Sequence, residues 1–250
     1  MTTDRPNLGN QALNKVVEIG INTQLDEAEF IDVEIRTDPG KLVQGKLDSI
    51  EISGKGLVMK QDLRLEMLQV TIGKVGINLL SAVFGQIELI HPTDAEALIT
   101  LTEADINRAF RSDYIQSKLH GLKMMMNGQD VIVNVQQVTV NLPGNNKFVI
   151  NIDFLVAAET ELKKLAATAV PKIQEDGHRI SLEILAIEGQ GLNLDLVSVI
   201  VEQLTALLDM RNFNIPGLSF KLYQLEAPPG RLVIHSHAQV AQVSPIIKLI

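Results

Sequence analysis

The sequence predicts an α+β fold: a highly coiled antiparallel β-sheet wrapped around or along a long helix, with two or three helices in all. Three observations predict it. First, apolar–polar alternation, the period-two mark of a strand, slips phase within single runs. Leu63, Leu65 and Met67 give way to Leu68, Val70 and Ile72; Val131, Val133 and Val135 to Val138, Val140 and Leu142; Ile180, Leu182 and Ile184 to Leu185 and Ile187. Each slip needs a bulge or a change of buried face, so these strands are long and bent. Second, three segments carry apolar stripes at helical spacing. Third, no low-complexity linker divides the 250 residues, so 10–250 read as one domain behind a disordered tail over 1–9.

Leu13, Val16, Val17, Ile21 and Leu25 place a helix over residues 10–28. Ile31, Val33 and Ile35 alternate with charged residues as a half-exposed strand, and Asp38-Pro-Gly40 turns the chain. Strands are expected over 47–53, 63–72, 86–90 and 96–101, with a short apolar piece at 79–84. Thr102-Glu-Ala-Asp105 has the form of a capping box and opens a second helix, recapped at Ser112 and ending near Leu119. Asn127-Gly128 is the best hairpin signal, joining 122–126 to 131–142. Phe148, Ile150, Ile152, Phe154 and Val156 alternate cleanly; 161–173 fits helix or strand and reads better as strand. A third helix covers 193–210, and a closing hairpin turns at Pro228-Pro-Gly230.

Hydrophobic residues are 46% of the chain, aromatics only 4%, and Trp is absent. Such aliphatic mass suits an ordinary core and equally an acyl-chain site. A net charge of −8 argues against nucleic acid as a partner. With no Cys there is no disulfide, thiolate chemistry or Cys-ligated zinc. The N-terminus lacks a basic-then-apolar signal layout, and no run nears the ~20 apolar residues that span a bilayer. A cytoplasmic or membrane-peripheral place is expected, with the periplasm left open.

Catalytic motifs are missing. Gly54-Lys-Gly56 and Gly189-Gln-Gly191 lack a third glycine, and there is no phosphate loop, nucleophile elbow or His-Glu-x-x-His. No enzyme activity and no cofactor are expected. His235 and His237 share a strand face, but no third ligand is in view, so no metal is expected. Asp94, Glu96, Glu103 and Asp105 read as helix caps and solvated carboxylates.

The third helix is more telling. Leu196, Val199, Ile200, Leu204 and Leu207 form one stripe, which Val197, Val201 and Leu208 widen beyond the ~100° arc of a surface helix. It is therefore covered on two sides, by the sheet and by a lipid, another helix or a second subunit. In the 79–84 piece, Leu80, Val83 and Phe84 form either a membrane-touching tip or a plug. Val197, Val201, Leu204, Leu208, Leu80, Val83 and Phe84 are the candidate lipid-binding residues.

Several motifs resemble one family. Pro39-Gly-Lys-Leu-Val-Gln-Gly45, Leu47-Asp-Ser-Ile50-Glu-Ile52, Gly56-Leu57, Leu101-Thr-Glu-Ala-Asp-Ile-Asn107 and Ile215-Pro-Gly-Leu-Ser-Phe220 are similar to those of the bacterial LmeA-like phospholipid-binding family. The resemblance implies a tubular-lipid-binding architecture, akin to the bactericidal/permeability-increasing fold, with lipid in an apolar seam between helix and coiled sheet. It implies non-enzymatic binding of phospholipid or another acyl lipid, extended to transfer, with transient membrane contact. The rival expectation is an interaction or scaffold domain of the cell envelope that holds no lipid.

Overall fold

A computed structural model describes residues 8–23, 25–59, 62–78, 81, 88–126, 129–157, 161–189, 194–209, 211 and 218–240. Strands dominate it. The seven-stranded sheet contains β1 (Leu25–Glu27), β2 (Phe30–Arg36), β4 (Ser49–Met59), β5 (Leu63–Ile72), β7 (Thr93–Thr102), β13 (Leu218–Glu226) and β14 (Arg231–Val240). Its order is β1-β4-β5-β7-β14-β13, with β2 also on β4. The five-stranded sheet runs β12-β11-β10-β9-β8, from Ile180–Gly189, Lys163–Ile173, Lys147–Val156, Gln129–Gly144 and Leu122–Met126 respectively. A short pair, β3 (Lys46–Leu47) with β6 (Val75–Gly76), stands apart. Every pairing is antiparallel.

The phase slips have two physical origins. In β9, pairing with β10 shifts by one residue at Gln136, so Val133 and Val135 stay on the buried face with Val138, Val140 and Leu142. In β12, the shift falls at Leu185, returning Ile187 to the face of buried Ala167. Both are bulges, which bend a strand and increase its twist. In β5 the register against β4 is unbroken from Leu63 to Ile72. There the buried face itself changes: Leu65 is buried on one side and Ile72 on the other.

The helices are α1 (Leu8–Asn22), a single turn α2 (Pro39–Leu42), α3 (Glu103–Arg111), α4 (Asp113–Leu119) and α5 (Leu194–Leu207). α1 stops at Asn22, short of the expected residue 28, because Leu25–Glu27 leaves to pair with β4. At 15 and 14 residues, α1 and α5 are each about 21–23 Å long. Ser112 caps α4 as its sequence predicts. Residues 163–173 form a strand; 79–80 and 82–87, Asn127-Gly128 and Asn193 lie outside the described residues.

α5 touches both edge strands of the five-stranded sheet, β8 and β12. A sheet whose two edges reach one helix is strongly curled, and the helix closes its open side. Two cores result. The larger fills this half-barrel with side chains from β8–β12, α4, α5 and the β13–β14 hairpin. The smaller lies under α1, around Val17, Val33, Ile35, Ile50, Ile72 and Val75. The seven-stranded sheet spans both: on β14, Ile234 belongs to the larger core and Ala238 to the smaller.

Candidate functional site

Register places inward-facing residues of the seven-stranded sheet in rows. One row, Ile35, Ile50, Ile72, Ala95, Ala238 and Phe220, sits in or against the smaller core. The next is Val33, Ile52, Val70, Ala97, Ser236 and Leu222. The third is Ile31, Gly54, Leu68, Ile99, Ile234 and Leu225. In these two rows Ile31, Ile52, Leu68, Val70 and Ile99 are only half-buried: Ile31, Ile52 and Val70 pack against the smaller core, Ile99 against the larger, and Leu68 against neither. Ala97 keeps the floor low beside Val70, while the Leu57 side chain packs over Gly54, where a Cβ would lie 2.7 Å from it. The result is an aliphatic strip on the inner face between two packed cores, four strands or about 14 Å wide. The opposite face of β5, with Met67, Gln69 and Thr71, is exposed.

Among the described residues, two buried side-chain polar atoms lack a hydrogen-bond partner: Asn10 Oδ1 and Ser236 Oγ. Ser236 is fully buried and lies in the second row, between Ala97 and Leu222.

The seam under α5 is packed. Val197, Ile200 and Leu204 are buried in the larger core, while Val201, Leu207 and Leu208 are half-buried against it. Leu80, Val83 and Phe84 fall outside the described residues. Val43 and Ile90, the former 75% exposed, border an open depression of about 470 Å³ with Gln44, Ile77, Asn78, Glu88 and Leu89. A second, of about 590 Å³, is lined by Asn145, Asn146, Glu226, Ala227 and Pro228. Neither borders the strip.

His235 and His237 share the outer face of β14, where Tyr223 stacks on His237 with ring centroids 4.4 Å apart. Among the described residues no three His, Asp or Glu side chains converge as a metal site.

Of the acidic run, Asp94 and Glu96 are exposed on β7, while Glu103 and Asp105 belong to a clamp between the sheets. Thr102 caps α3: its hydroxyl accepts from Asp105 N, and Asp105 accepts from Thr102 N at 2.8 Å. Asp105 is 3% exposed and takes a 2.6 Å bond from Arg64 on β5. Arg64 also donates to Glu29 and Glu66, and its bond holds the Glu29 carboxyl below the usual range. Gly56, at φ +59°, leaves room for Glu29; a Cβ there would lie 2.4 Å from it. On the other side, Asn107 exchanges two 2.8 Å bonds with the Val140 backbone of β9, and Glu103 accepts from Leu142 N. This half of β9 is a sheet edge because β8 stops pairing at Val133. α3 thus fastens the seven-stranded sheet to the five-stranded one.

The clamp gives Leu101-Thr-Glu-Ala-Asp-Ile-Asn107 and Gly56 one shared structural role. The sequence model of the LmeA-like phospholipid-binding family matches residues 6–237, nearly the whole chain. The chain belongs to this family. A search of curated proteins finds no match to it. The LmeA-like family is described by what it binds and not by a reaction, and the curled antiparallel sheet with few helices fits its expected architecture at that coarse level. Among the described residues no helix is long and apolar enough to cross a membrane.

Sequence reasoning placed the inward phases of β2 and β5 but not the strip. The alternation in Ile31–Ile35 and Leu68–Ile72 shows which residues face inward; only cross-strand register shows which stay uncovered. Ser236 carried a readable signal, a polar residue at an inward position between Ile234 and Ala238.

Proposed function

We propose that this protein binds a phospholipid without chemistry, holding acyl chains against the strip of Ile31, Ile52, Leu68, Val70 and Ile99. The incomplete burial of five neighbouring aliphatic side chains where the two cores meet, with Leu68 packed against neither, carries the reading, in a chain of a phospholipid-binding family. Covering the strip removes both protein and lipid surface from water. Each buried CH₂ contributes about 0.8 kcal/mol, so a long acyl chain supplies the driving force with no specific polar contact. Transfer between membranes follows if the lipid leaves as it came. The exposed Val43 and Ile90 are the apolar side chains that would meet a bilayer.

A second reading places chains under α5, at Val197, Val201, Leu204 and Leu208. The half-burial of Val201 and Leu208 favours it. Because α5 bridges two sheet edges, its displacement would open the larger core.

The chain has no Trp, so a single introduced indole reports without background. Leu68→Trp should shift its emission to the blue with phosphatidylcholine vesicles and be quenched by brominated acyl chains. Val201→Trp is the comparison. Quenching at Val201→Trp alone selects the α5 seam, and quenching at neither leaves the scaffold alternative.

A further inference from the structure

Ser236 poses a question the aliphatic strip does not answer. On β14 the inward positions are Leu232, Ile234, Ser236, Ala238 and Val240, all buried. Ser236 lies where the larger core ends and the smaller begins. Its neighbours towards β7 are small, Ala95, Ala97 and Ala238, with Leu222 opposite on β13, and alanine would serve there equally well for packing. A hydroxyl hidden with no partner is costly, whereas the same hydroxyl given an acceptor is favourable. Across the row, Ala97 separates it from half-buried Val70 and Ile52.

We infer that Ser236 Oγ–H donates a hydrogen bond to an acyl-ester carbonyl of a bound glycerophospholipid, so that the strip selects ester-linked over ether-linked chains. This rests on the lipid-binding reading of the same strip. The chemistry of the ligand singles out the ester. A hydrocarbon chain has no acceptor. A phosphate carries charge whose burial is costly, so it stays in water outside the strip. The ester carbonyls are the uncharged acceptors joined directly to the chains. Ser236 lies about two strand spacings, ~10 Å, from Val70.

The test uses the full chain and two phosphatidylcholines with the same chain length, one diacyl and one dialkyl ether. Protein is incubated with vesicles of an equimolar mixture, re-isolated, and its retained lipid quantified by mass spectrometry. Wild type should retain the ester about five- to tenfold over the ether, the worth of one net hydrogen bond. Ser236→Ala should retain both equally, with uptake of the ether lipid unchanged. Equal retention by the wild type overturns the inference and leaves the lipid-binding reading standing; this arm needs no variant to fold. An ester preference that persists in Ser236→Ala also overturns it. Uptake of neither lipid overturns the inference and the lipid-binding reading together.

Discussion

Asp105→Ala tests whether the Leu101–Asn107 segment is a structural clamp or a ligand site. The carboxylate closes the α3 capping box and accepts from Arg64 at 2.6 Å. Losing a helix cap costs about 1 kcal/mol. Breaking a buried ion pair costs about 3–5 kcal/mol, because the remaining charge is stranded. Here that figure shrinks. The Arg64 side chain is 20% exposed and keeps Glu29 and Glu66, so about 2 kcal/mol remains. The expected loss is about 3 kcal/mol, read from urea unfolding followed by far-UV circular dichroism. For a chain of this size it lowers Tm by roughly 6–12 °C. A cycle with Arg64→Met should return a coupling of about 1–2 kcal/mol. Well below the lowered Tm, phospholipid uptake per folded molecule should match wild type. A stability loss below about 1 kcal/mol, or lost uptake with stability intact, would refute the clamp.

Three further outcomes are expected. Asn107→Ala leaves the Val140 edge of β9 without its side-chain amide and should cost about 2–3 kcal/mol in the same urea assay. Val70→Asp puts an unpaired carboxylate in the strip and should abolish phospholipid uptake while the half-buried position lets the protein fold; uptake at wild-type level would exclude the strip. Acid should destabilise late: Arg211 holds Asp209 at about 2, and Arg64 and Lys41 hold Glu29 and Asp38 below their usual ranges. Folded values below unfolded ones mean stabilisation complete above about pH 4.5 and lost as pH falls towards 2. The urea midpoint should be level from pH 7 to 5, then fall, and Asp209→Asn should flatten the last part; a fall between pH 7 and 5 would implicate other groups.

What the sequence shows and what it hides divide by range. The slip between Val135 and Val138 is legible because a bulge leaves a one-residue mark in its own strand. The Thr102–Asp105 capping box is legible for the same reason. The slip at Met67 reads alike but is a change of buried face, decided by what packs on each side of β5. α1 ends early because Leu25–Glu27 pairs with a strand some thirty residues on. Arg64 meets Asp105 across 41 positions and Asn107 meets Val140 across 33, so the Leu101–Asn107 segment was visible as a motif while its mechanical role was not. The strip is further removed, since it exists only where β2, β4, β5 and β7 are in register. The third helix's broad apolar arc was legible, and its cover is the interior of the curled sheet.

Native mass spectrometry of the intact protein, incubated with phosphatidylcholine vesicles and re-isolated, tests the central claim most directly. The account predicts the 27.5 kDa chain together with a species heavier by one phospholipid, and loss of that species in Val70→Asp. A bare chain alone in the wild type, or an equal adduct in both proteins, would contradict it.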